Sequence, residues 1–196
     1  MQELIFATNN QNKVMEIQSL LPSNIKAVSL KDAGINIDIP EPHNTLEENA
    51  SEKSVTIFRL TNKDCFSEDT GLEVMALGGE PGVRSARYAG NDSNAEQNIL
   101  KLLDNMKNQQ NKQAQFKTVI SLILNGKEIQ FTGICEGEII SSPRGANGFG
   151  YDPVFIPSGA DKTFAEMSLE EKNKYSHRKK ATALLLQYLT ENYGKN

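Results

Sequence analysis

The sequence predicts an α/β domain built on a mixed β-sheet. Three observations carry this. Short apolar runs of strand type alternate with amphipathic helical stretches through the first half of the chain. Residues 116–124, nearly all apolar toward Leu124, and 127–135 flank Asn125-Gly126, a strong hairpin signal. The chain ends on a helical stripe of Ala181, Leu184, Leu185, Tyr188 and Leu189. The 196 residues, 38% of them apolar, suit one domain, or two lobes sharing one core.

The elements follow in order. Leu4-Ile5-Phe6-Ala7 reads as a buried strand, and the polar run Thr8 to Lys13 as the loop after it. Val14, Ile17, Leu20 and Leu21 recur at helical spacing, with Pro22 as the stop. A second helix starts at Thr45, where Glu48 completes a capping box, and runs to about Leu60. Cys65-Phe66 opens a strand ending at Glu68-Asp69-Thr70-Gly71. Leu72 to Leu77 reads as strand again, before the turn Gly78-Gly79-Glu80-Pro81-Gly82. A helix with Ile99, Leu100, Leu103 and Met106 on its face starts near Ser93, boxed by Glu96. Residues 143–150 form a Gly-rich loop, and the last helix starts at Ser176.

Composition excludes some functions. A formal charge of −4, from 21 basic and 25 acidic residues, argues against a nucleic-acid binder, which needs a basic face. It leaves room for a small anionic ligand. Cys65 and Cys135 stand far apart in apolar surroundings and read as buried thiols. The N-terminal apolar run is too short for a signal peptide, and no run is long enough to span a bilayer. The expectation is a cytoplasmic protein with no membrane association.

Four segments can carry chemistry. Asn10 and Lys13 lie between a strand end and a helix start, where backbone N–H groups and a lysine can meet a phosphate. The alternative is a solvated loop with an Asn cap. Neither common Gly-rich phosphate loop is present. Glu68-Asp69-Thr70-Gly71 places two carboxylates at a strand end, suited to magnesium or to taking a proton from water. An ordinary acidic turn reads equally well. Glu41, between Pro40 and Pro42, is a further candidate ligand or a plain loop residue. In Gly145 to Pro153 the glycines allow close backbone approach, Phe149 and Tyr151 can stack on a base, and Asp152 can accept from its N–H edge. A Gly-rich turn with two core aromatics is the alternative. Ser176-His177-Arg178 puts cations in a helix's first turn, against its dipole, as an anionic or carbonyl-rich ligand would require. Lys172 lies just upstream. A solvated basic run continuing through Lys179 and Lys180 competes with that reading. His43 reads as a loop residue.

Together these segments resemble the inosine triphosphate pyrophosphatase family. The strongest parts are Glu68-Asp69-Thr70-Gly71-Leu72, Gly79-Glu80-Pro81-Gly82, Ser85-Ala86-Arg87-Tyr88, Phe149-Gly150-Tyr151-Asp152-Pro153 and Ser176-His177-Arg178. Each is weak alone. Their shared order, across nearly the whole chain, is specific. The resemblance implies an elongated mixed sheet flanked by helices, with two lobes around a central substrate cleft, and a homodimer. It implies hydrolysis of ITP, dITP and XTP to monophosphate and pyrophosphate, cleansing the nucleotide pool. Thr8, Asn9, Asn10, Gln11, Asn12, Lys13 and Lys53 would serve the triphosphate, with Thr70 at the substrate. Asp69 would be the base, and Glu41 with Asp69 would hold Mg²⁺. Phe149, Gly150, Tyr151, Asp152, Lys172, His177 and Arg178 would hold the purine, donors facing its 6-oxo group. Three positions depart from the family. Thr70 stands for Ser, Lys179 for Gly, and Pro-Glu-Pro-His for paired acids. The last leaves the second metal ligand open, with Glu68 able to share the role. The rival readings are a pyrophosphatase for other modified bases and a nucleotide-binding module without turnover.

Overall fold

Pairing direction makes the sheet mixed. Its strands are β1 (Gln2–Phe6), β2 (Ile25–Ser29), β3 (Cys65–Val74), β4 (Pro81–Gly82), β5 (Gln113–Leu124), β6 (Lys127–Ile139) and β7 (Phe155–Pro157). Their order is β2-β1-β3-β5-β6-β7, with β4 against β3. β1 runs parallel to β2 and to β3, while β4 is antiparallel to β3 and β7 to β6. The helices are α1 (Gln11–Gln18), α2 (Leu46–Thr61), α3 (Ala95–Met106), α4 (Leu169–Lys172) and α5 (His177–Asn192). This computed structural model describes residues 2–90 and 94–192. Among these, no helix is long and apolar enough to cross a membrane.

The chain divides into two compact units, Met1–Asp69 with Thr118–Gly133 and Arg178–Asn196, and Thr70–Lys117 with Ile134–His177. In the first, β1 shows why its apolar run is continuous. Successive side chains point to opposite faces of a strand, and both faces are covered. Leu4 and Phe6 join a core with Ile17 of α1 and Ala181, Leu185 and Leu189 of α5. Ile5 and Ala7 join a second core with Ile57 of α2. Phe6 stacks on Phe66 at 4.4 Å. The second unit has one core, in which Leu72, Val74, Leu102, Phe116, Tyr151, Phe155 and Phe164 pack together.

Several boundaries differ from the sequence reading. β2 was not foreseen, because Ile25-Lys26-Ala27-Val28-Ser29 is short and lacks clean alternation. α1 stops at Gln18, well before Pro22. β3 does not end at Glu68-Asp69-Thr70-Gly71 but runs through it to Val74, and Met75–Leu77 is a single 3₁₀ turn closed by Gly78 at φ 64°. Ser93 lies outside the described residues, and Asn94 caps α3, its Oδ1 accepting from Gln97 N at 3.0 Å. Leu184 is 45% exposed, so the α5 stripe is narrower than its spacing implied. The hairpin turn holds, with Asn125 at φ 51° and Gly126 at φ 76°, the left-handed pair a two-residue turn requires. Both cysteines are buried thiols not joined in a disulfide.

Candidate active site

The loop after β1 is at once a helix cap and an exposed polar surface. Asn10 Oδ1 accepts from the N–H groups of Asn12 and Lys13 at 3.0 and 3.3 Å. Asn10 N donates to Thr8 Oγ1 at 3.2 Å. Asn9 Oδ1 accepts from Lys31 N at 3.1 Å, bracing the loop against the end of β2. Asn10, Gln11 and Asn12 are exposed.

Helix α2 brings a lysine inward. Thr45 caps it, Oγ1 accepting from Glu48 N at 3.2 Å as the capping box predicts. Its buried residues, Leu46, Asn49, Ala50, Lys53, Ser54 and Ile57, follow the helical period, so Lys53 lies on the inward stripe. Small residues let the helix sit close to the sheet, where Ser67 Oγ donates to Ala50 O at 2.5 Å and Cys65 Sγ to Ser54 O at 3.3 Å. Lys53 Nζ donates to Glu41 Oε1 at 2.8 Å and to Asp69 Oδ1 at 2.9 Å. Burial alone would lower the Lys53 pKa, but the Asp69 and Glu41 carboxylates outweigh it and raise it. Asn49 fixes the loop that carries Glu41. It donates to His43 O at 3.2 Å and accepts from His43 N at 3.0 Å.

Asp69 is buried, and its Oδ2 has no hydrogen-bond partner. Burial raises its pKa above the ordinary carboxylate value. Lys53 and Lys13 pull the other way, and Glu41 adds to the rise. A carboxyl group tuned upward in this way is a better proton acceptor near neutral pH.

Glu68, next to Asp69, faces different partners. Its Oε2 accepts from Arg178 Nε at 2.6 Å and its Oε1 from Arg178 Nη2 at 2.7 Å, a bidentate pair. Lys13 Nζ lies 3.3 Å from Oε1. Arg178 Nη1 donates to Glu16 of α1. Arg178 is 1% exposed and Glu68 1%. Burial opposes the Arg178 charge, but Glu68 and Glu16 outweigh it and raise its pKa. Arg178 in the first turn of α5 is therefore compensated from within the protein, where the sequence reading looked to a ligand. Both Glu68 oxygens, expected to be able to share a metal with Glu41 and Asp69, serve cationic side chains in this structure. Among the described residues, no three His, Cys, Asp or Glu side chains gather into a metal-binding set.

The second unit gathers Phe149, Asp152, Lys172 and His177. Lys172 Nζ donates to Asp152 Oδ2 at 2.7 Å, and Phe149 N donates to the same oxygen at 2.9 Å. The lysine also lies 5.2 Å from the Phe149 ring centre. Gly148 is obligatory here. Its φ is +74°, and a Cβ would fall 2.1 Å from Asp152 Oδ2. A capping box of Ser168 and Glu171 starts α4 and presents Lys172. His177 is buried and stacks on Phe116 at 4.7 Å. Thr70 and Gly150 are half-buried. Tyr151 departs from expectation. It belongs to the core, 4% exposed, with its hydroxyl donating to Ser85 O at 2.9 Å, so its ring does not present a stacking face beside Phe149.

The model of the Ham1 family matches residues 4–188. The chain belongs to the Ham1 family. Relatives of this Ham1-family chain include the dITP/XTP pyrophosphatase of Flavobacterium johnsoniae, 53% identical over 96% of the chain and 98% of the relative. That of Caldanaerobacter subterraneus is 45% identical, with both chains fully covered. Among solved structures, the Staphylococcus aureus Ham1 protein superposes with a TM-score of 0.88 at 40% identity, covering 97% of this chain and 99% of that one.

Sequence reasoning about this Ham1-family chain missed Glu16 and Asn49. Glu16 lies 162 positions from Arg178, and no spacing rule connects them. Asn49 had a readable signal, since it falls on the buried stripe of α2, where a polar side chain needs partners.

Proposed function

We propose that this Ham1-family chain hydrolyses deaminated purine nucleoside triphosphates, namely ITP, dITP and XTP, to the monophosphate and pyrophosphate, and so clears them from the nucleotide pool. The observation that carries the reading is Asp69. It is a buried carboxyl group with a raised pKa, an Oδ2 without a partner, and a lysine on its other oxygen. Relatives named dITP/XTP pyrophosphatase at this identity support the substrate class. Water adds to the α-phosphorus, the bond to the bridging oxygen breaks, and pyrophosphate leaves. Asp69 takes the proton from the water. Thr8 through Lys13 and Lys53 receive the triphosphate, and charge building on the leaving group is met by the lysines. Phe149, Gly150, Asp152, Lys172 and His177 serve the purine, with Thr70 beside the substrate, while Arg178 anchors Glu68 and Glu16.

Glu41 and Asp69 fit a hard divalent cation. They offer only carboxylate oxygens, and Asp69 Oδ2 is a buried acceptor in need of a partner. Magnesium held there with the phosphates would supply charge neutralisation at the reacting phosphoryl group. A homodimer and a cytoplasmic setting belong to the same proposal.

The test is product analysis with ITP, XTP, dTTP and ATP in the presence of Mg²⁺. The expected result is IMP and pyrophosphate from ITP, with XTP also cleaved and ATP far slower. Orthophosphate as first product refutes the reading. Preference for dTTP selects the rival pyrophosphatase, and binding without turnover selects the binding module.

A further inference from the structure

Lys53 Nζ stands between two carboxylate oxygens, 2.8 Å from Glu41 and 2.9 Å from Asp69. Lys53 is 7% exposed and Asp69 5%, so this group is largely withdrawn from water. A divalent cation bridging these same two oxygens would need the space between them that the ammonium fills. Two cations cannot share it, because both their size and their mutual repulsion forbid it. A buried ammonium that leaves these carboxylates must also find another anion, since an unpaired buried charge is costly.

We propose that Lys53 is the resident counter-cation of the Glu41–Asp69 pair, and that a divalent ion binds this pair well only when a phosphate chain draws Lys53 away. The inference rests on the proposed reading of Glu41 and Asp69 as metal ligands. It gives Lys53 a second role beside triphosphate binding. In the free protein it keeps the pair from binding metal. With nucleotide present, it exchanges one anionic partner for another while the ion takes its place. Metal and nucleotide then bind synergistically, and the substrate is the metal–nucleotide complex.

The test uses Mn²⁺ as the probe, with free ion counted by electron paramagnetic resonance and no nucleotide present. Lys53→Gln keeps a hydrogen-bond donor but removes the charge. It should bind Mn²⁺ at least about tenfold tighter than the parent, within the usual range of site-to-site coupling. Lys53→Arg keeps the charge and should stay within about threefold of the parent. A second measurement needs only the parent. Acetylation of Lys53 by acetic anhydride, read by mass spectrometry, should be slow in the free protein and rise at saturating Mn²⁺. Lys53→Gln binding Mn²⁺ no tighter than the parent overturns the proposal, as does labelling of Lys53 that Mn²⁺ leaves unchanged. If the parent still cleaves ITP with Mn²⁺ in that event, only the exchange is wrong. If the parent neither binds Mn²⁺ nor cleaves ITP, the metal-ligand reading itself fails.

Discussion

Arg178→Met removes a guanidinium that two glutamates share while keeping most of its apolar stem. Arg178 and Glu68 are each 1% exposed, and Glu16 is 8%. The bidentate pair to Glu68 has distances of 2.6 and 2.7 Å, short enough for charge-assisted bonds. Without Arg178, Glu68 keeps only Lys13, at 3.3 Å, among the ion-pair partners described above. Breaking a buried pair from one side typically costs about 3–5 kcal/mol. For a chain of this size each kcal/mol moves the unfolding midpoint by roughly 2–4 °C, so the expected drop is roughly 6–20 °C. Thermal unfolding by circular dichroism at neutral pH measures it. Glu68→Gln/Arg178→Met, which removes the Glu68 charge together with the guanidinium, should lose less than the sum of the two single variants. A midpoint for Arg178→Met within about 2 °C of the parent would refute the reasoning. A change in the ITP-to-ATP ratio of kcat/KM in Arg178→Met bears on purine contact only at temperatures where the variant is shown to be folded.

Three further outcomes follow. Asp69→Asn should lower turnover on ITP by roughly 10²–10⁴-fold while keeping the far-ultraviolet spectrum; turnover within about threefold of the parent would remove Asp69 from the chemistry. Asn49→Ala removes both bonds to the His43 backbone, at a cost of about 1–3 kcal/mol, and should raise the Mg²⁺ concentration needed for half-maximal activity because the Glu41 loop is released; an unchanged Mg²⁺ requirement would show that the loop holds itself. Burial pushes the Cys65 thiol up to about 12 from 9.0, so above pH 9 the unfolded chain loses this proton while the folded chain keeps it. A group raised in the folded state stabilises fully below its unfolded value and loses that contribution as pH rises. The stability of the parent relative to Cys65→Ala, from urea unfolding, should therefore fall between pH 8 and pH 10.5, and a constant difference would refute the shift.

The fold was legible wherever one local rule decided an element. Thr45 and Glu48 named the start of α2, and Asn125-Gly126 named the hairpin, because capping and left-handed turns depend on a few adjacent residues. Leu4 to Ala7 read as a buried strand because both faces of β1 are covered and all four residues are apolar. Legibility failed where tertiary contacts chose between local options. Ile25–Ser29 has little strand signal of its own and becomes β2 through a parallel register with all five residues of β1. Met75–Leu77 carries apolar residues that suit a strand, yet Gly78 in the left-handed region closes a 3₁₀ turn there.

The candidate site divides along the same line. Residue types at expected strand ends and helix starts marked Lys13, Asp69 and His177, and the Gly-rich segment marked Asp152, before any contact was known. Their partners could not be found this way, because ion pairs join positions with no fixed spacing. Glu68 and Asp69 show the difference most clearly. They are adjacent in sequence and equally acidic, so sequence reasoning let Glu68 share the metal with Asp69 and Glu41. Neighbours on a strand point to opposite faces, and that single fact separates them. Glu68 meets Arg178 and Lys13, while Asp69 meets Lys53. One carboxylate is already held by two cations, one of them a buried guanidinium. The other shares a single lysine with Glu41 and keeps an oxygen without a partner. An acid pair inside β3 therefore meets two different sets of cations, and alternation along the strand decides which acid meets which.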